Sequence, residues 1–169
     1  NSCLDVELIL SKVVNRKREE IILNTNDKLS NIDIMKFENF LFRRYHNEPM
    51  AYILGYKHFW KHKFLTNKSV LIPRPDTELL IEETLNYLPI DKSKKILDVG
   101  TGSGCIIVSL IIDRPKCTAT ALDISIKALN VAKTNAKLHH LENNINFINI
   151  DIDKYKSYNY DLIISNPPY

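Results

Sequence analysis

The feature that most narrows the fold of this chain is a cluster of glycines. Three of its four glycines, Gly100, Gly102 and Gly104, stand within five positions, inside Ile96-Leu-Asp-Val-Gly-Thr-Gly-Ser-Gly104. A short apolar run, Lys95–Val99, precedes them and a longer one follows, so the cluster sits where a strand ends and a helix over 103–113 begins. The rhythm then repeats. Thr118–Asp123 reads as a strand, 125–139 as a helix with Ala128, Leu129, Ala132 and Ala136 on one face, and 145–150 and 161–165 as two further strands. Strands alternating with helices predict a doubly wound, Rossmann-like α/β sheet.

A glycine loop between strand and helix lets backbone approach a ligand closely. Asp123 ends the next strand, where a carboxylate can accept both hydroxyls of a ribose. The spacing argues about which nucleoside is held. Dinucleotide sites use G-x-G-x-x-G, and here the third glycine arrives one residue early. Asp98, two residues before Gly100, would repel a pyrophosphate but suits a cationic amine or sulfonium. The expected cofactor is therefore S-adenosylmethionine rather than NAD. The absence of a Walker lysine excludes a P-loop nucleotidase.

The strand at 161–165 leads into Asn166-Pro167-Pro168-Tyr169. In a doubly wound sheet this strand should lie beside the glycine-loop strand, at the switch point where ligands bind. Prolines fix the backbone, so the Asn166 side chain and the Pro167 carbonyl offer two set acceptors for the hydrogens of a planar NH2 group. Tyr169 supplies an apolar face for a planar amide or base. The expected reaction is methyl transfer to an amide or amino nitrogen, with Asn166, Pro167 and Tyr169 as the catalytic set and Pro168 completing the substrate site. The target is left open between a glutamine side chain and a nucleic-acid base.

Ahead of this lies a helical region over 1–47, with Leu4, Leu8, Ile9 and Val13 at helical spacing and a later helix capped by Ser30 or Asn31. Its expected role is to dock a protein substrate. Residues 48–72 read as a hairpin connector, with strands either side of 61–63, and 73–169 as the cofactor-binding domain, opened by a helix that Asp76 or Thr77 caps. Aromatics interleaved with lysines around residues 52–71 also fit a single-strand nucleic-acid surface, but the hairpin accounts for them. The formal charge of +3 is too weak for a dedicated nucleic-acid binder, so direct binding is not expected. Three cysteines without a CxxC pair disfavour disulfides and zinc, and no metal site is expected. Neither a signal peptide nor a run of about 20 apolar residues is present, so a cytoplasmic protein without membrane contact is expected. A start at Asn1 and an end directly behind the Asn-Pro-Pro-Tyr motif suggest a chain clipped at both ends.

Together these residues resemble the class I amino-methyltransferases. Leu71-Ile-Pro-Arg-Pro-Asp-Thr-Glu78, with Glu48-Pro49, Gly55 and Phe59-Trp60, makes the chain similar to the HemK/PrmC release-factor glutamine methyltransferases, from Leu4 to Tyr169. That resemblance implies methylation of the glutamine amide in the Gly-Gly-Gln loop of peptide-chain release factors, by a monomeric enzyme. It puts cofactor contacts on Gly100, Thr101, Gly102, Ser103, Gly104, Asp123 and Asn166. A further contact falls on Ile152, which follows Asp151 where the family often has an aromatic residue. It also implies more strands beyond Tyr169. Nucleic-acid amino-methylation and a binding protein that retains only the cofactor fold are the alternatives.

Overall fold

A computed structural model of the chain describes residues 2–24, 26–157 and 159–167. It divides into two compact units, Asn1–Gly55 and Tyr56–Tyr169. The first holds four helices: α1 Ser2–Val14, α2 Arg18–Leu23, α3 Asn31–Tyr45 and α4 Met50–Leu54. Ser30 caps α3, its hydroxyl accepting from Asp33 N at 3.1 Å. Arg44 on α3 pairs with Asp5 on α1 at 2.7 Å, and Arg43 grips Glu48 through two hydrogen bonds of 2.7 and 2.9 Å. The apolar core is thin. Ile9, Ala51 and Ile53 are buried, whereas α2 and α3 bury no residue.

This unit runs on to Gly55 rather than ending near residue 47. The Pro49 carbonyl accepts from Tyr52 N and Ile53 N, starting a helix in a segment read as connector, and Gly55 stops it with φ of 82°.

The second unit opens with an antiparallel hairpin, β1 Tyr56–Phe59 and β2 His62–Leu65, turned at Trp60. It is not a free connector. Phe59 and Phe64 are buried in the same apolar core as Ile81, Ile107 and Leu110, so these rings are unavailable for stacking on bases. A 3-10 turn, Pro75–Thr77, leads into α5 Glu78–Tyr87, and then β3 Lys95–Val99, α6 Cys105–Asp113, β4 Thr118–Asp123, α7 Ile126–Leu138, β5 Ile145–Asn149 and β6 Leu162–Ser165 follow. The 3-10 turn Ile152–Lys154 lies between the last two strands. Helix α6 carries apolar residues all round, which only an interior helix tolerates, and Ile106 to Ile111 are all buried.

The sheet is wholly parallel, in the order β5-β4-β3-β6. The chain steps outward from β3 to β4 and β5, then returns to the other side of β3. The doubly wound expectation holds for the four strands, and the switch point falls between β3 and β6. Among the described residues, no helix is long and apolar enough to cross a membrane.

One buried side chain joins the pieces. Asn135 on α7 is fully buried; its Oδ1 accepts from Leu65 N at 2.7 Å, and its Nδ2 donates to Leu65 O at 3.0 Å and to Ser103 O at 2.8 Å. Leucine at this position fills the volume but abandons those backbone groups. Asn135→Leu should lower the unfolding free energy by about 2–4 kcal/mol, since each orphaned buried group costs about 1–3 kcal/mol. Urea titration checks this; an unchanged midpoint would mean that the bridge contributes nothing.

Candidate functional site

Parallel pairing fixes the site. Val99 lies opposite Ser165, so the glycine loop after β3 and Asn166 after β6 leave the sheet at the same level and side by side. The crevice between them is a cavity of about 410 Å³, lined among others by Leu71, Gly100, Gly102, Asp123, Ile152 and Asn166. A smaller recess of about 50 Å³ adjoins it, reached by Arg74, Thr77, Thr101, Ser103 and Cys105. Leu71, Gly100, Gly102 and Asn166 line both, which places Asn166 at their junction.

The loop takes its shape from the neighbouring strand. Gly100 N and Thr101 N both donate to Leu122 O at 2.9 Å, Gly102 N donates to Asp123 Oδ2 at 2.9 Å, and Gly104 N donates to Thr101 O at 2.8 Å. These N–H groups are spent inside the protein, so the loop is no cradle for phosphate, which needs them pointing outward. Gly104 lines neither cavity, although it was expected among the cofactor contacts. With φ of 77°, it is where the loop meets α7: a Cβ there would stand 3.1 Å from that of Ala132. A side chain there would crowd α7.

Asp123 is held by two backbone donors, Gly102 N on Oδ2 and Ser125 N on Oδ1 at 2.8 Å. A carboxylate oxygen accepts more than one hydrogen bond, so both oxygens keep capacity toward the cavity that the residue lines. Asn149 secures this corner, its Nδ2 reaching Asp123 O at 2.9 Å and Ile124 O at 2.8 Å. Asp151 also lines the cavity and caps the turn that carries Ile152, its Oδ1 accepting from Asp153 N at 3.1 Å. Most of the remaining wall is apolar. Ile124 and Ile152, 74% and 45% exposed, present bare hydrocarbon there.

Asp98 lies buried at the end of β3, and neither of its carboxylate oxygens has a hydrogen-bond partner among the described residues. Burial pushes its carboxyl up to about 7; the nearby Thr101 side chain opposes that rise, and the negative charge of Asp123 adds to it.

Asn166 is half-buried, and its Nδ2 donates to Thr77 Oγ1 at 3.1 Å. Pro167 follows as an exposed residue, while Pro168 and Tyr169 lie outside the described residues. Of the sequence-derived cofactor set, the structure thus gathers Gly100, Thr101, Gly102, Ser103, Asp123, Ile152 and Asn166 around one crevice. Sequence reasoning missed Thr77 as part of it, having read that residue as a helix cap. It also missed Asn135 and Asn149, which carried no signal beyond being polar in amphipathic segments.

Residues 75–169 match the family model of the methyltransferase small domain, and residues 1–55 that of the PrmC N-terminal domain. The release factor glutamine methyltransferase of Buchnera aphidicola is 38% identical over 166 residues, covering 98% of this chain and 60% of the relative. That of Flavobacterium psychrophilum is 40% identical over 168 residues, covering 96% and 58%. The bifunctional methyltransferase of Rickettsia typhi is 38% identical over 185 residues, covering 98% and 36%. The chain thus spans about a third to three fifths of the length of these relatives. Among solved structures, the delta-N METTL16 MTase domain superposes with a TM-score of 0.52 at 21% identity, over 62% of this chain and 51% of that one, a likeness of fold. With more than half of its length matched by that model, the chain belongs to the methyltransferase small domain family, and its residues 1–55 are similar to the PrmC N-terminal domain.

Proposed function

We propose that this chain carries the methyl-transfer site of an S-adenosylmethionine-dependent enzyme that methylates the glutamine amide in the Gly-Gly-Gln loop of peptide-chain release factors. The observation that supports the reading is the register of β3 against β6, which brings Asn166 beside the cavity that Asp123 and the glycine loop line. The relatives named release factor glutamine methyltransferase support the choice of substrate. The reading includes a monomer acting in the cytoplasm, without direct nucleic-acid binding.

The residues present fit the cofactor. Asp123 offers oxygens to a ribose and the apolar wall with Ile124 and Ile152 suits an adenine; Asp98 is buried and lines neither cavity, so it would act on a bound cation only through its charge. The inward-turned loop N–H groups disfavour a pyrophosphate. When bound, the cofactor supplies an electrophilic methyl group on a sulfonium. The chain's own work is orientation. Asn166 donates to Thr77 through Nδ2, which leaves Oδ1 as an acceptor for one hydrogen of the target NH2. The Pro167 carbonyl is the proposed second acceptor, and Pro168 and Tyr169 complete the proposed substrate site. Held this way, a weakly nucleophilic amide nitrogen would be oriented toward the methyl group that the cofactor supplies.

The test is methylation of purified release factor by the intact protein with methyl-labelled cofactor, read by peptide mass, with DNA and ribosomal RNA as competing substrates. Label on the Gly-Gly-Gln glutamine alone is expected; label on a base would overturn the reading. Asp123→Ala should weaken cofactor binding roughly ten- to a hundredfold, since charge-assisted hydrogen bonds are worth about 1.5–3 kcal/mol. Calorimetry showing equal affinity would remove Asp123 from the ribose site.

Asn166→Ala should cripple transfer far more than it weakens cofactor binding, because the lost acceptor matters most as the nitrogen becomes cationic. Asn166→Asp keeps an acceptor and should retain measurable activity. Equal inactivity of both variants in single-turnover assays would argue against acceptance as the role.

A pH dependence follows from Asp98. With the carboxyl at about 7 in the ligand-free chain, a bound cation favours the charged form and lowers that value. Cofactor binding therefore releases a proton below about pH 7, and affinity rises with pH up to that point and then levels off. Asp98→Asn should bind more weakly and without this slope. Calorimetry in buffers of different ionisation enthalpy measures the released proton; none at pH 6 in the wild type would place Asp98 outside the linkage.

A further inference from the structure

We infer that Thr77 is a positioning residue for Asn166, its hydroxyl oxygen engaging the Asn166 NH2 group so that the amide oxygen is the end that faces the target nitrogen. The inference rests on the reading above, in which Asn166 accepts from a substrate amide. Thr77 ends the 3-10 turn Pro75–Thr77 and precedes α5, where a hydroxyl ordinarily caps the helix. It makes no such bond. Its oxygen instead accepts from Asn166 Nδ2 at 3.1 Å, across 89 residues of sequence, and both residues line the smaller recess. The backbone beneath is set: Thr77 N donates to Arg74 O at 3.0 Å, Glu78 N donates to Pro75 O, and Pro75 restricts φ.

The chemical need is specific. An asparagine side chain has an accepting end and a donating end of nearly equal shape. Turned the wrong way, Asn166 would confront the target NH2 with its own NH2, donor against donor. A hydroxyl can serve either end, so Thr77 alone does not choose. With a target amide in the crevice, though, only one arrangement gives every group a partner: Thr77 accepts from Nδ2, and Oδ1 accepts from the target. Thr77 is the acceptor that makes the productive orientation affordable in a half-buried place.

The experiment compares Thr77→Val, which keeps the shape and removes the oxygen, with Thr77→Ser, which keeps the oxygen. In the intact protein with full-length release factor, Thr77→Val should lower kcat about five- to tenfold, the scale of one lost hydrogen bond. KM for the release factor and cofactor affinity should stay near wild type, and Thr77→Ser should restore most of kcat. In 15N-labelled protein the Asn166 side-chain NH2 signals should shift in Thr77→Val and not in Thr77→Ser. Full activity of Thr77→Val, unmoved Asn166 signals, or equal loss of kcat and cofactor affinity in both variants would each overturn the inference. A wild type that leaves release factor unmethylated sinks the functional reading instead, and the Asn166 signals then still decide whether Thr77 holds the amide.

Discussion

The buried amide of Asn135 is the interaction on which the site most depends. It lies in α7, yet all three of its hydrogen bonds go to backbone elsewhere, two to Leu65 at the end of the hairpin and one to Ser103 in the glycine loop. A buried amide with partners for its donors and acceptor costs little, whereas the same groups left without partners cost more than any apolar replacement recovers. The consequence is geometric. The loop is held at α7 by Asn135 and by the approach of Gly104 to Ala132, and at β4 by Leu122 O and Asp123. A loop fixed from two sides reaches its ligand without being ordered by it, so less of the binding energy goes into arranging the protein.

That fixation also decides the kind of ligand. Glycine loops that bind phosphate turn successive N–H groups toward the anion. Here the N–H groups of Gly100, Thr101 and Gly102 turn toward β4, and the cavity is left with carboxylates and hydrocarbon. A nucleoside with a positive charge suits such a surface better than a dinucleotide. The early third glycine and the charge of Asp98 point to the same class of ligand.

The four strands of the sheet and the two loops at its switch point were legible because strand–helix alternation is a local pattern and the winding rule supplies the rest. Asp123 and Asn166 could be placed in one crevice on that basis alone. The hairpin was seen but misjudged: nothing local says that Phe59 and Phe64 turn into the core of the second unit. Helix α4 was lost in the same way, since five residues behind a proline carry no helical period. Thr77 was read as a cap because its neighbours permit it, and its partner lies too far away in sequence to be guessed. What local pattern cannot reveal is which distant group a polar side chain satisfies, and Thr77, Asn135 and Asn149 are all residues of that kind.

Carboxylates dominate the charge around the crevice. Asp123 and Asp151 line it, Asp98 lies buried at the end of β3, and Arg74 is the one cation reaching either cavity among the described residues. In the proposed reaction the bound cofactor would bring a positive charge into the crevice, and the methylated nitrogen would carry that charge until its proton passes to water. Fixed carboxylates favour the site while that charge is present, and a low-dielectric setting strengthens the effect. At the nitrogen end the acceptors are neutral oxygens, which stabilise the developing cation through hydrogen bonds but do not take its proton. A carboxylate at position 166 would add charge where the reaction needs only direction, and asparagine, held by Thr77, supplies direction alone.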